Sequence, residues 1–296
     1  MLRLLPLLLL PWLPLAAAAV IIDSGDGTGN TTAPSPDPGW DHVGARGSLT
    51  AVYLDNGWVI SSDHGFSDDV VLGGVTYTLV PGSEVQVING DGSDADLLLF
   101  AITPEPPLPP LPIASSTPSN GASVIAIGYG KNRGPQISCN PPGPGSYDGY
   151  DWAAGRTKRW GTNFVEDFDT IVLNGRTTDA FGSIFDEAGS THEGQAATGD
   201  SGGAAFVWNG SQWELAGVLF AVNIVPGCQE NLPGQDPTST LYTQTTWAAD
   251  LSVYQTQILD VISMPEPSGG LAAGAALLGV LARRRRTAGG AASKPA

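Results

Sequence analysis

Thr198-Gly199-Asp200-Ser201-Gly202-Gly203 places one serine among three glycines and an aspartate. Glycine adopts backbone conformations closed to other residues, so a serine in such a run sits on a sharp turn with its hydroxyl exposed. Neighbouring main-chain N–H groups can then converge on a developing oxyanion. The string also satisfies G-x-S-x-G, the strand–turn–helix elbow that carries the nucleophile of α/β-hydrolases. Chain order excludes that fold, which needs its histidine after the serine: His42, His64 and His192 all precede Ser201. The bland alternative is a glycine-rich turn with an incidental serine, and the rest of the chain weighs against it.

A serine nucleophile needs a base. His64 ends the run Gly57-Trp58-Val59-Ile60-Ser61-Ser62-Asp63-His64, where an apolar strand gives way to a turn. His42 lies in a Pro/Gly/Asp-rich stretch and His192 in a polar loop, and both read as solvent-exposed. The base in turn needs an acid to orient it. Ser93-Asp94-Ala95-Asp96-Leu97-Leu98-Leu99-Phe100 sets a carboxylate at the head of an apolar strand, where it can be buried against an imidazole. The competing readings are a solvated turn or a calcium loop from Asn89, Asp91, Ser93 and Asp94, which lacks the glycine and the closing glutamate of an EF-hand.

These three segments, in the order His, Asp, Ser, resemble the trypsin-like (chymotrypsin-fold) serine peptidases. GWVISSDH is similar to the family's W-V-[VL]-[ST]-A-A-H, DADLLLF to its D-[IL]-A-L-L-x-[LVF], and TGDSGGAAF to its nucleophile motif. Ile127-Gly128-Tyr129-Gly130, Ala216-Gly217-Val218-Leu219 and Leu241-Tyr242-Thr243 extend the likeness over roughly residues 40–262. The resemblance implies an all-β fold of two antiparallel six-stranded barrels with a C-terminal helix and the site in the cleft between them. It implies Ser201 as nucleophile, His64 as base and Asp94 as the orienting acid, with the N–H groups of Gly199 and Ser201 as oxyanion hole. It calls for a protein or peptide substrate and for no cofactor or metal.

Departures from the family pattern carry further expectations. Ser62 and Asp63 replace two alanines before the histidine, so an acid adjoins the base. Alternation along a strand points Asp63 outward; inward, it would compete with Asp94 for the imidazole. Gly65 stands where the family has a cysteine. Gln195 occupies the floor of the implied specificity pocket, with Phe220 and Val222 on its wall, which predicts a preference for uncharged side chains of small or medium size. No Ile-Val-Gly-Gly start is visible to supply the α-amino group that pairs with the aspartate before the nucleophile, here Asp200. Either Asp200 takes a cation from Arg156, Lys158 or Arg159, or activation differs; a solvated basic loop is the simpler reading of that cluster. The family's loop proximity implies a disulfide between Cys139 and Cys228, two free buried thiols being the alternative.

Composition bounds the function classes. The 296 residues carry 13 basic and 29 acidic side chains, net −16, with 42 % hydrophobic residues. Every acidic residue lies between Asp23 and Glu266 against seven basic ones, so that section is at −22. A nucleic-acid binder is excluded, because the electrostatic term has the wrong sign. Three His and two Cys are too scattered for a zinc cluster.

Residues 1–20, MLRLLPLLLLPWLPLAAAAV, have the charge, apolar run and small-residue end of a secretory signal peptide, with cleavage expected near Ala17 to Val20. At the other end, Met264-Pro265-Glu266-Pro267-Ser268, a short apolar run and the arginines 283–286 resemble the PEP-CTERM sorting signal of exported bacterial proteins. That run is short for a spanning helix, which needs about 20 residues. The resemblance implies an exosortase-type partner acting at Pro265-Glu266-Pro267, transient membrane anchoring, and a final place in the periplasm, on the cell surface or outside.

Short runs rich in Val, Ile, Thr, Tyr and Phe, at 49–54, 58–61, 75–80, 84–88, 96–102, 122–129, 163–173, 204–208 and 213–222, predict many antiparallel strands. Residues 104–118 hold seven prolines and link two halves of similar size. Trp247, Leu251, Tyr254, Ile258 and Val261 predict one amphipathic helix capped by Thr245 or Thr246. The expected organisation is a signal peptide at 1–20, an N-terminal extension at 21–40, a peptidase domain at 41–262, a sorting segment at 263–287 and a disordered tail at 288–296. The function this organisation implies is an exported serine endopeptidase. The alternatives are a catalytically silent surface binding protein of the same fold and an esterase on the same triad.

Overall fold

The computed structural model describes residues 20–229 and 238–264. The signal segment up to residue 19, and the sorting segment and tail from residue 265, lie outside the described residues.

The first half supplies β1 (Ile21–Ile22), β2 (Val43–Arg46), β3 (Leu49–Asp55), β4 (Trp58–Ser61), β5 (Val70–Leu72), β6 (Val75–Leu79), β7 (Val85–Ile88) and β8 (Asp94–Thr103). The second supplies β9 (Ser123–Gly128), β10 (Lys131–Cys139), β11 (Tyr147–Arg156), β12 (Arg159–Phe164), β13 (Asp167–Leu173), β14 (Arg176–Ile184), β15 (Gly194–Gln195), β16 (Ala204–Trp208), β17 (Trp213–Val222), β18 (Ser239–Leu241) and β19 (Thr245–Asp250), then α1 (Leu251–Ile262). The proline-rich stretch joins the halves as expected, since proline cannot donate to a ladder.

Six strands of the first half close on themselves in the order β4-β3-β2-β5-β6-β8, with β8 pairing back to β4 and β7 added outside β8. In the second half the order is β12-β9-β16-β17-β19-β14-β13. Its ladder is not closed: at the seam between β12 and β14 the Asn163 amide donates to the carbonyl of Ile184 at 2.8 Å. The expectation of a closed six-stranded barrel is met by the first half, while the second half is a seven-stranded sheet in which that side chain bridges β12 and β14. β13 is an extra strand, and it forms a hairpin with β14 that the run 163–173 did not announce as a separate element.

The largest apolar cluster runs through both halves, joining Ile60, Leu97 and Leu99 to Phe206, Leu215 and Trp247, and α1 packs on it through Leu251, Tyr254 and Ile258. Trp247 fits both a helical and an alternating period, and its strand partners decide: it lies in β19, opposite Gly182 and Ala221. The helix consequently starts later than expected, and its N-cap is Asp250, which accepts from the Ser252 N–H at 3.0 Å.

Residues 21–40 are no free extension. Ile21 and Ile22 are fully buried, and β1 pairs antiparallel with β15. Arg133 clamps the turn that follows, donating to the carbonyls of Ile22, Asp23 and Gly25. Among the described residues no helix is long and apolar enough to cross a membrane.

Candidate functional site

β4 is buried along its whole length and delivers Ser62, Asp63 and His64 at its end. It pairs with β8 so that Ser61 faces Leu98. Two residues further along β8, Asp96 therefore meets the chain just past β4. One carboxylate oxygen of Asp96 accepts the main-chain N–H of Asp63 at 3.0 Å and of His64 at 2.8 Å. The other lies 2.6 Å from His64 Nδ1. An ionised carboxylate only accepts, so Nδ1 carries the proton and Nε2 keeps its lone pair. Asp96 is 0 % exposed, and its own N–H donates to Thr178 Oγ1 at 2.8 Å.

This corrects the expectation for Asp94. Asp94 is exposed at the very start of β8, about 7 Å further out at roughly 3.3 Å per residue. Both aspartates share a face of the strand, so alternation could not separate them; depth along the strand does.

Asp63 does not reach for the imidazole. Its carboxylate takes the Nε–H of Arg176, from the start of β14. Behind the histidine, the fully buried Arg46 donates to the carbonyl of Ser62 at 3.1 Å and lies over the Phe100 ring. Gly65, at the position where the resembled family carries a cysteine, leaves that guanidinium its space: a Cβ there would clash with Leu49 and stand 2.7 Å from Arg46 Nη2. Burial pushes the Arg46 guanidinium down to about 10, while Asp63, Asp68 and Asp96 act the other way.

The serine loop docks on β3 and β4. The Thr50 N–H donates to the carbonyl of Ser201 at 2.9 Å, and Thr50 Oγ1 donates to that of Gly199 at 2.8 Å. Ser61 Oγ in turn donates to the Thr50 carbonyl at 2.6 Å. Gly202 has φ +86, and a Cβ on it would stand 2.0 Å from Ser61 Oγ and from the Thr50 carbonyl oxygen, so only glycine fits there. Within the loop the N–H groups of Asp200, Gly202 and Gly203 go to the carbonyls of Ala197, Leu219 and Asp200. Among the described residues the N–H groups of Gly199 and Ser201, and the Ser201 hydroxyl, remain uncommitted.

Asp200 is fully buried under this loop. Burial pushes its carboxyl up to about 6, against main-chain N–H bonds from Ala197, Val20 and Gly130 and the nearby charge of Arg156. Ala197 N–H is 2.8 Å from one oxygen, and Val20 N lies 3.5 Å from the other. Gly128 and Gly130 leave it room, since a Cβ on either would stand 2.1 or 2.5 Å from a carboxylate oxygen. The basic cluster beside it is no solvated loop. Arg156 donates to the carbonyls of Tyr129, Gly47, Leu49 and Gly199, Lys158 bonds the carbonyl of Trp40 and lies over its ring, and Arg159 is buried.

The remaining expected residues fall as follows. Gln195 is buried in β15 opposite Ile21, and its Oε1 is without a hydrogen bond among the described residues. Phe220 is committed to the core, so of the two expected wall residues only Val222 is half-exposed. His42 is buried, contrary to expectation, with Nδ1 3.0 Å from the Tyr53 carbonyl oxygen; His192 is half-buried against Ser24 and the Trp160 ring. Thr50, Thr178 and Arg176 support the site without any motif of their own, because their partners lie far away in the chain.

Cys139 and Cys228 form a disulfide with their Cα atoms 5.7 Å apart. It closes a separation of 89 residues. Replacing both by serine is expected to lower the free energy of unfolding by about 2–4 kcal/mol, because the unfolded chain regains the loop's freedom. A urea titration measures this.

No protein-family model matches the chain, and no curated protein does. Solved structures do. Neuropsin, a serine protease expressed in the limbic system of mouse brain, is 16 % identical with a TM-score of 0.50, over 79 % of this chain and 99 % of its own. The active form of the Rv3671c protease from M. tuberculosis is 18 % identical with a TM-score of 0.44, over 75 % of this chain and 76 % of its own. The HtrA-type protease AlgW with a decapeptide is 17 % identical with a TM-score of 0.44, over 73 % of this chain and 52 % of its own. The chain has the fold of the trypsin-like serine proteases.

Proposed function

We propose that this chain is an exported serine endopeptidase working through His64, Asp96 and Ser201. The observation that carries the reading is the buried Asp96 on His64 Nδ1, with the glycine-flanked serine docked on the strand pair that leads into that histidine. In this reading His64 Nε2 takes the Ser201 proton as the hydroxyl oxygen attacks the scissile carbonyl. The tetrahedral oxyanion is met by the N–H groups of Gly199 and Ser201. The imidazolium, stabilised by Asp96, returns its proton to the leaving amine, and water then releases the acyl group by the same route. Gln195 and Val222 favour an uncharged residue before the cut, since an amide offers no charge to a basic side chain.

The missing activation sequence also finds an answer in this reading. Val20 follows the alanine run of the leader, and its nitrogen faces Asp200. Removal of the leader at Ala19–Val20 would convert that amide into an α-ammonium group beside the buried carboxylate. PEP-CTERM processing at Pro265-Glu266-Pro267 by an exosortase-type enzyme completes the proposed route.

A fluorophosphonate probe tests the central claim. The exported chain should be labelled, Ser201→Ala and His64→Ala should not, and a peptide library should show cleavage. Absence of labelling in the chain beginning at Val20 would instead leave a silent scaffold, and turnover of esters without peptide cleavage an esterase.

A further inference from the structure

The hairpin of β13 and β14 turns on Asn174-Gly175, both at positive φ, and its returning strand presents three consecutive residues to the first barrel. Arg176 pairs with Asp63. The carbonyl of Thr177 accepts from the Asn89 amide at 2.7 Å. Thr178 Oγ1 accepts from the Asp96 N–H at 2.8 Å. The hairpin thus spans the two barrels and touches both the loop bearing the base and the strand bearing its acid.

Asp63 is the residue immediately before His64, and its N–H shares one oxygen of Asp96 with the His64 N–H. We propose that Arg176 is a positioning residue of the catalytic site: by holding and neutralising Asp63 it keeps Asp96 the only carboxylate acting on the imidazole. This inference rests on the endopeptidase reading and deepens it.

The charges around Asp63 make the consequence specific. Asp94 and Asp96 face it from β8, Arg46 from β2, and Arg176 from β14; Asp68 lies within reach of Arg46. Burial pushes the Asp63 carboxyl up, and Asp96 and Asp94 push the same way, while the bond and charge of Arg176 pull it down. Removing Arg176 therefore takes from the Asp63 carboxylate its hydrogen-bonded cation and leaves only the Arg46 charge facing it. That negative charge favours the imidazolium, so the neutral base appears only at higher pH.

The test is the rate of fluorophosphonate labelling between pH 5 and 9, on protein expressed from the full chain and recovered after export. Arg176→Gln should raise the midpoint of the acid limb by about 0.5 to 1, the range expected for one partly screened neighbouring charge. Its plateau at pH 9 should stay within about twofold of wild type. Arg176→Lys should keep the wild-type midpoint, and Asp63→Asn combined with Arg176→Gln should restore it. A uniform drop at every pH with an unmoved midpoint would make the pair merely structural and overturn the proposal, as would no change at all. The same midpoints can be read without catalysis, from the imidazole NMR signals in a Ser201→Ala background; His64 is assigned among the three histidines by its loss in His64→Ala. A wild type that takes up no probe refutes the endopeptidase reading. The NMR midpoints separately decide whether Arg176 governs the charge at His64.

Discussion

Asp96→Asn should lower the rate of probe labelling about 10⁴-fold, the loss known for that exchange in the best-studied His-Asp-Ser template, while Asp94→Asn should leave it within about twofold. The asymmetry follows from geometry. Asp96 accepts three hydrogen bonds from the His64 segment, two from main-chain N–H groups and one from the ring. Asparagine can occupy the same place but offers an N–H₂ where the ring needs an acceptor. The imidazole then turns to its other tautomer and presents a proton, not a lone pair, to Ser201. Asp94 is exposed and lies two residues further out, so its neutralisation removes only a screened charge. Equal losses in both variants would return the orienting role to Asp94 and break the assignment made from the structure. Single-exponential labelling at pH 8, with melting curves to show both variants folded, measures the effect.

A chain that begins at Val20 should be labelled roughly 10²- to 5 × 10³-fold faster than one that retains Ala19, from the roughly 3–5 kcal/mol lost when one partner of a buried pair is missing. Asp200 directly precedes Ser201, is fully buried, and has its nearest N-terminal neighbour in Val20 N at 3.5 Å. With an amide there, ionising the carboxylate is costly; with an α-ammonium group, it is compensated, and the loop that aims the Gly199 and Ser201 N–H groups is held down. The pH dependence of stability follows with its sign. In the form with an amide at Val20, burial raises the Asp200 carboxyl from 3.8 to about 6. A carboxyl raised on folding stabilises the fold below its unfolded value, near 4, and that contribution is lost as the pH rises through about 6. The extended form should therefore lose melting temperature between pH 4 and 6. The form starting at Val20 should hold it until its amine deprotonates above about 8. Matching melting and labelling profiles for the two forms would show that Asp200 needs no amine, and that Arg156 or another group serves it.

Much of this site was legible because it is carried by local strings. The glycines around Ser201, the strand that ends at His64 and the apolar run after Asp96 each state their chemistry within about ten residues. The two cysteines, too, had only one partner each to find. Legibility stopped where two residues satisfied one local pattern. Asp94 and Asp96 stand on the same face of the same strand, and only the pairing of Ser61 with Leu98 says which of them meets the histidine. Trp247 likewise satisfied a helical spacing while its neighbours in β14 and β17 held it in a sheet.

The sequence by itself determined the class of fold and singled out the proposed nucleophile and base with their order along the chain, since alternation, glycine runs and chain order are local or one-dimensional properties. Only the tertiary structure decided the acid on the imidazole, the burial of Ile21 and Ile22 against β15, the hold of Arg176 on Asp63 and the place of Arg46 beside Gly65. Each of these depends on strand register or on contact between barrels, across separations of 19 to 174 residues that no local pattern encodes. Burial and charge act on groups that are near in space, and nearness in space is what the folded chain adds.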